Sequence, residues 1–191
     1  MTSCTQAIKA WETKHEQKAE DAKEINITCQ IPPLTKLDNS LSALKCCQKL
    51  SMSTNMIDRM AGLGGMSNLR ILSMGRNNIK KIEKLDEVCG TLEQLWMSYS
   101  QISSLEGLSE LNNLTTLFLS NNSIKSFSEL DKIACLPNLK DVIFVGNPMY
   151  DDISRKEGRI LILKHLPQVT KIDGDLVKPS ERDEAASLPV E

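Results

Sequence analysis

Through the middle of the chain, one pattern of apolar and polar positions returns about every 22 residues. In one copy the apolar positions are Leu69, Leu72, Met74 and Ile79, and a polar residue, Asn77, stands between the last two. The second apolar position marks each of the five copies, and its residues are Leu50, Leu72, Leu95, Leu117 and Val142. The steps between these markers are 22, 23, 22 and 25 residues. This near-constant period predicts one short structural unit that is stacked several times.

Each copy predicts a short strand, a turn and a return path. Because side chains alternate between the two faces of a strand, Leu72 and Met74 point into the stack and Ser73 points outward. The side-chain amide of the asparagine, Asn77 in this copy, is expected to bond backbone groups at the turn. On the return path apolar residues recur every three to four positions. That spacing favours a helix or short helical turns.

A unit of this kind buries its apolar side only against its neighbours, and the pattern is the signature of leucine-rich repeats. We therefore predict an α/β leucine-rich-repeat solenoid, with a parallel sheet on the concave face and helices or helical turns on the convex face. Residues 23–150 are expected to hold about six repeats, the first of them irregular, with Ile25 and Ile27 in its strand.

Both open ends of such a stack need polar caps. An amphipathic segment with Ala7, Ile8 and Trp11 predicts a capping helix within residues 1–22. Residues 151–174 predict a C-terminal helix, begun at Asp151, Asp152 or Ser154, and a short closing repeat. From 175 to 191 the chain is polar and contains two prolines, so we expect a flexible tail there.

Composition and charge exclude several classes of function. The net charge of −2 lacks the basic footprint of a nucleic-acid binder, and no apolar run is long enough to cross a membrane. The six cysteines form no CxxC pair, which predicts reduced thiols in a cytosolic protein. His15 and His165 have no second ligand at metal spacing, so we expect no metal and no cofactor. No nucleophile, base and orienting group occur together, so an enzyme is not expected.

The outward strand positions, where the copies differ, carry the functional prediction. Trp96, Phe118 and Ile143 occupy the same outward position in successive repeats, and we call them the apolar row. Their flanking residues are Ile71, Ser98, Tyr99 and Val145, with Arg76 on the rim, and all eight together form the concave patch. A contiguous apolar patch indicates an interaction site, here shaped for an amphipathic helix or a small helical domain. The alternative interpretation is that aromatic residues simply suit strands.

A second candidate contact lies in the predicted C-terminal helix. Arg155 and Arg159 are i,i+4 neighbours and Lys156 is adjacent to the first of them. Their functional interpretation is a contact with an acidic partner. The alternative is an ordinary solvated basic face of a helix.

Several segments between the generic repeat residues support a family resemblance. They begin at Gln30 (Gln-Ile-Pro-Pro), Met74 (Met-Gly-Arg-Asn-Asn), Leu95 (Leu-Trp-Met-Ser-Tyr) and Val145 (Val-Gly-Asn-Pro). With them, the chain from near residue 7 to near residue 178 resembles the leucine-rich-repeat light chain of axonemal outer-arm dynein. One departure is Ser100, where the repeat expects an asparagine. A hydroxyl replaces only part of the bonding of an amide, so we expect a looser turn there.

The resemblance implies a non-catalytic subunit of a ciliary or flagellar motor in the axoneme. It implies binding to an outer-arm dynein heavy chain, at its microtubule-binding stalk end, through the concave patch. It further implies modulation of the motor and a contact with tubulin, and we expect the basic helix of Arg155 and Arg159 to approach either acidic tubulin or a neighbouring surface of the motor. A phosphatase-regulating adaptor of the same repeat class and a spliceosomal repeat protein remain alternatives.

Overall fold

The repeated apolar pairs build a single sheet of eight strands that follow one another in chain order. The computed structural model describes residues 1–189. The strands are β1 (Glu24–Asn26), β2 (Lys49–Ser51), β3 (Ile71–Ser73), β4 (Gln94–Trp96), β5 (Thr116–Phe118), β6 (Asp141–Ile143), β7 (Lys171–Ile172) and β8 (Asp175–Leu176). Strands β1 to β7 run parallel, and β8 pairs antiparallel with β7. The predicted leucine-rich-repeat solenoid is confirmed, with one strand more than expected.

The marker residues of the repeats lie opposite one another across the sheet and form the spine of the core. Leu50, Leu72, Leu95, Leu117 and Val142 are register partners in sequence and are fully buried. Burying one such side chain stabilises the fold by about 1.5–3 kcal/mol relative to leaving it exposed. Because each strand is only three residues long in β1 to β6, this stacking, and not strand length, holds the sheet together.

The return paths on the convex side are mostly short 3₁₀ turns. Such turns span Asn39–Ala43 before β2, Asp86–Val88 before β4 and Phe127–Ile133 before β6. Between β4 and β5 the path has no helix, although Ile102, Leu105, Leu108 and Leu111 are all buried. A repeat of about 22 residues leaves room for a 3₁₀ turn but not for a full α-helix beside its strand and turn. Of the two predicted forms, a helix or short helical turns, the return paths therefore adopt the short helical turns.

The asparagines of the repeats bond neighbouring turns to one another. In Asn122, Oδ1 accepts the N–H of Ile102 at 3.0 Å, and Nδ2 donates to the carbonyl oxygens of Met97 and Leu119, each at 3.0 Å. Asn55, Asn77 and Asn147 make the same kinds of contact in their own repeats. One side chain thus satisfies buried backbone groups of two repeats, as the sequence predicts.

Helices cover both ends of the stack. Helix α1 (Cys4–His15) begins at a capping box of Ser3 and Gln6 and buries Trp11 against the first repeat. Helix α2 (Arg155–His165) begins after Ser154, whose side chain accepts the N–H of Glu157. No helix within residues 1–189 is both long and apolar enough to span a bilayer.

The expectation of a flexible tail from 175 onward is wrong for the residues that the structure describes. After β8, the chain forms helix α3 (Pro179–Ser187), which packs against α2 and buries Ala185. Arg182 fixes α3 by donating to the carbonyl oxygens of Pro167 and Val169, each at 2.6 Å. The polar composition of this segment reflects such bonds and not a lack of structure. Residues 190–191, also assigned to the tail, lie outside the described residues.

Candidate partner-binding face

The register of β4, β5 and β6 places the apolar row in line across the concave face. Trp96 pairs with Phe118 and Phe118 pairs with Ile143. The rings of Trp96 and Phe118 stack, with centroids 6.0 Å apart and planes at 18°. All three side chains are partly exposed, because the core is filled by the strand residues that point to the opposite face of the sheet. The structure therefore brings together the row that the sequence predicts.

The flanking residues of the concave patch extend the row on one side. Tyr99 and Val145 are 48% and 39% exposed, and their position beside the row makes the exposed apolar surface contiguous. Ser98 occupies the repeat position equivalent to Val145, and its hydroxyl accepts a hydrogen bond from Ser120 at 2.9 Å. Ile71 lies on the other side, at the first position of β3, where it pairs with Gln94. Ile71 therefore belongs to the rim of the patch and does not extend the row.

Arg76 and Tyr99 occupy equivalent turn positions in successive repeats and contact each other. The Arg76 guanidinium carbon lies 4.4 Å from the centroid of the Tyr99 ring, in a cation–π contact. Both residues adopt the left-handed region, with φ of 55° and 58°. Other repeats place Thr54, Asn121 and Gly146 at the same position, also with positive φ. The turn dictates this backbone geometry, so the large side chains at 76 and 99 are costly for folding.

The remainder of the concave face is polar and largely satisfied within the chain. Lys49 pairs with Glu24 at 3.2 Å, and Lys171 pairs with Asp141 at 2.9 Å. The hydroxyl groups of neighbouring serines also bond one another, as in the 2.8 Å contact between Ser53 and Ser73. On the strands within residues 1–189, one further large apolar side chain is strongly exposed, Leu176 of β8 at 72%, and β7 separates it from the concave patch.

Three buried side-chain atoms have no hydrogen-bond partner within residues 1–189, and all lie in or beside the concave patch. They are Nε1 of Trp96, Oγ of Ser100 and Oδ1 of Asp141. Buried polar atoms without partners cost about 1–3 kcal/mol each and concentrate at functional sites. The sequence indicated the defect at Ser100 through the missing asparagine. It gave no signal for the other two, because they depend on how side chains pack across strands.

The second candidate contact does not form the predicted basic face. Arg159 is buried, and its Nε and Nη2 donate to the two carboxylate oxygens of Glu181 at 2.6 Å and 3.0 Å. These hydrogen bonds lower the pKa of the Glu181 carboxyl to about 2 and raise the pKa of Arg159. The prediction that Arg159 contacts an acidic partner is therefore wrong, because α3 supplies that acid. Arg155 and Lys156 are exposed, but they too are paired, with Asp175 at 3.1 Å and Glu184 at 3.2 Å.

Within residues 1–189, no group of three or more histidine, cysteine or acidic side chains is arranged to hold a metal ion. Burial raises the pKa of both Cys4 and Cys47 to about 11, so these thiols are protonated and poor nucleophiles at neutral pH. All six cysteines are free thiols.

Known proteins are similar to this chain both in the repeat and over almost its full length. A family model described as Leucine Rich repeats (2 copies) matches residues 90–132. The chain is 50% identical over 188 residues to dynein axonemal light chain 1 of Chlamydomonas reinhardtii, which covers 96% of this chain and 95% of that protein. The mouse protein of the same name is 53% identical over 187 residues, covering 96% of this chain and 98% of the relative.

Solved structures share the architecture at lower identity. A leucine-rich-repeat protein of Leptospira interrogans superposes with a TM-score of 0.64 at 25% identity, over 80% of this chain and 37% of that one. The Drosophila melanogaster SNF/U2A′ complex contains a chain that matches with a TM-score of 0.53 at 19% identity, over 85% of this chain and 79% of that one. At that identity the likeness shows the fold alone, so it gives no support to the spliceosomal alternative.

Proposed function

This chain belongs to the dynein axonemal light chain 1 family, and we propose that it binds a heavy chain of outer-arm dynein through the concave patch. The observation that carries the proposal is the apolar row of Trp96, Phe118 and Ile143, aligned on a face whose polar groups are largely bonded to one another. A partner gains most from covering these three side chains, since most of the surrounding polar groups already have partners within the chain.

The shape and chemistry of the patch favour a helical segment of the heavy chain. Three large side chains spaced about 4.8 Å apart across strands match an amphipathic helix laid over the sheet. Aromatic side chains that become fully buried in an interface commonly contribute about 2 kcal/mol or more each. Stacking already orders the Trp96 and Phe118 rings, so their loss of rotamer freedom on binding is small.

We place the contact in the motor region of the heavy chain, at its microtubule-binding end, with the protein located in the axoneme of cilia or flagella. The light chain acts there as a non-catalytic regulator: binding to that region changes how the motor moves. We do not extend the proposal to tubulin through the C-terminal helix. Arg159 is buried there, and Arg155 and Lys156 are already paired with carboxylates.

The experiment compares capture of the heavy chain by two double variants. The variant Trp96→Ala with Phe118→Ala is expected to fold but to lose the heavy chain when used as bait in extract of demembranated axonemes. The matched control, Lys49→Ala with Ser51→Ala on β2, alters the same face away from the row and should retain capture. Circular dichroism verifies that both variants are folded.

Two outcomes would contradict the proposal. The first is undiminished heavy-chain capture by a folded Trp96→Ala, Phe118→Ala variant, which would mean that another surface binds. The second is recovery of a phosphatase catalytic subunit in place of a heavy chain, which would favour the adaptor alternative. Mass spectrometry of the captured proteins distinguishes the two.

A further inference from the structure

Arg76 is the one charged residue on the concave face without an ion pair inside the described residues. The charged residues at the outward positions of β1 to β6 and in the turns directly after these strands are Glu24, Lys49, Arg76 and Asp141. Glu24 bonds Lys49, and Asp141 bonds Lys171. The Arg76 guanidinium makes neither a hydrogen bond nor a salt bridge to any of residues 1–189. It is an unmatched positive charge at the edge of an otherwise neutralised face.

The geometry of Arg76 keeps its hydrogen-bond donors available. Its guanidinium carbon lies 4.4 Å from the centroid of the Tyr99 ring, and none of its N–H groups donates a hydrogen bond to a residue within 1–189, so they remain available to a partner. A guanidinium carries five N–H donors in a fixed fork that matches a carboxylate. The cation–π contact restricts the side chain before a partner arrives, which reduces the entropy lost on binding.

Folding alone does not account for an arginine at this position. The backbone is left-handed there, which costs a non-glycine residue roughly 1–2 kcal/mol. The equivalent positions after β5 and β6 carry Asn121 and Gly146, the residue types that tolerate this conformation best, whereas Thr54 and Tyr99 adopt it at a cost similar to that of Arg76. A large cation that neither pairs within the chain nor suits its backbone points to a contact outside the chain.

We propose that Arg76 binds a carboxylate of the partner, and that the docked segment is a helix with an aspartate or glutamate beside its apolar anchors. This inference rests on the proposed function, because it assumes that the apolar row is covered. Arg76 follows β3, and Phe118 lies on β5, two strands away. That separation is about 10 Å across the sheet. A helix crossing the strands would therefore carry its acid about six or seven residues from the side chain that covers Phe118.

The test measures binding of the full chain to the recombinant microtubule-binding region of an outer-arm heavy chain. Arg76→Asn removes the charge and introduces a residue that suits the left-handed backbone, so the variant is expected to fold. Its Kd should rise about 10- to 100-fold. The dependence of Kd on NaCl, compared between about 50 mM and about 500 mM, should flatten. Arg76→Lys keeps the positive charge but loses the forked donors of the guanidinium. Its Kd should lie between the Kd of the unaltered chain and that of Arg76→Asn.

Arg70→Asn is the matched control. Arg70 precedes β3 and is paired with Glu93 at 3.4 Å, so its replacement changes the net charge equally but should leave Kd and its salt dependence as in the unaltered chain. Thermal melting of each variant shows that the comparison is between folded proteins.

The outcomes separate this inference from the proposed function. If Arg76→Asn binds with unchanged Kd and salt dependence while Trp96→Ala with Phe118→Ala does not bind, Arg76 has no carboxylate partner and the proposed function stands. If the effect of Arg76→Asn disappears after phosphatase treatment of the heavy-chain fragment, the anion is a phosphate and the carboxylate assignment is wrong. If the unaltered chain does not bind the fragment, both proposals fail.

Discussion

At the scale of single residues, Ser100 occupies a repeat position that asparagine holds in the neighbouring repeats, and its turn is the most weakly bonded of the series. The N–H groups of Ile57, Ile102 and Ile124 each donate to an asparagine of the next repeat at 3.0 Å. Within residues 1–189, no such hydrogen bond joins the equivalent N–H group of Ile79 to Ser100, and Oγ of Ser100 is itself unpaired. The shorter serine side chain cannot span the distance that the amide spans. This defect lies directly beside Tyr99 in the concave patch.

Restoring the amide should stabilise the fold. We predict that Ser100→Asn raises the free energy of unfolding by about 1–2 kcal/mol, because it satisfies a buried N–H group and adds bonds to two carbonyl oxygens. Urea denaturation followed by circular dichroism measures the change. The reverse exchange, Asn122→Ser, serves as the control and should lower stability by a similar amount. Equal stability of Ser100→Asn and the unaltered chain would mean that bound water already satisfies this turn.

At the scale of elements, the sequence predicts the periodic part of the fold better than its C-terminal end. The register of Leu72, Leu95 and Leu117 follows from the period alone, because each repeat can bury its leucines only against the next. The apolar row follows from the same register. The ion pair of Arg159 and Glu181 cannot be predicted from the period, since the two residues are 22 positions apart and belong to no repeat.

One local signal could have identified part of the missing structure. Asp173 and Gly174 form the turn between β7 and β8, and both have positive φ, at 50° and 89°. An Asp-Gly pair between two short extended segments is typical of a two-residue hairpin. This signal predicts β8, and a chain that turns back there can place the following helix against α2. The ion pair of Glu181 with Arg159 then orients α3 against α2, and this orientation is visible only in the folded structure.

The pair of Arg159 and Glu181 should make the C-terminal cap sensitive to acid. The folded-state pKa of Glu181 is about 2, below its usual value of 4.5. Its stabilising contribution is therefore fully present above pH 4.5 and is lost as the pH falls toward 2. We predict that Glu181→Gln lowers the free energy of unfolding at neutral pH by about 3 kcal/mol, because it leaves the buried Arg159 without its counter-charge.

Denaturation at a series of pH values tests this prediction. The difference between the unaltered chain and Glu181→Gln should be constant above pH 4.5 and should shrink as the pH approaches 2. Glu184→Gln is the matched control on the same helix. Its partner Lys156 is largely exposed, so the loss should be under about 0.5 kcal/mol. A pH-independent difference for Glu181→Gln would show that packing, and not charge, is responsible.

At the scale of the whole molecule, the end caps and the proposed binding face are located in different parts of the stack. Contacts in a solenoid run between neighbouring repeats, so a cap stabilises the repeat that it covers and acts only weakly further along. The caps lie at α1 and at α2 with α3, whereas the concave patch lies on β3 to β6 and the turns after them. The three unpaired polar atoms also lie at the patch and not at the caps. On the proposed function, we therefore expect that binding can be altered without loss of the fold, and that the ends can be loosened without loss of binding.

Removing the N-terminal cap should separate these two properties. We predict that deleting residues 1–18, which include the buried Trp11, speeds amide hydrogen exchange at Ile27 and Met52, because their repeats lose their cover. The amides of Met97 and Leu119 in the centre should keep their protection, and the Kd for the heavy-chain fragment should change less than about twofold. Exchange measured by mass spectrometry resolves the repeats. Uniform loss of protection along the sheet would instead mean that the cap and the centre unfold as one cooperative unit.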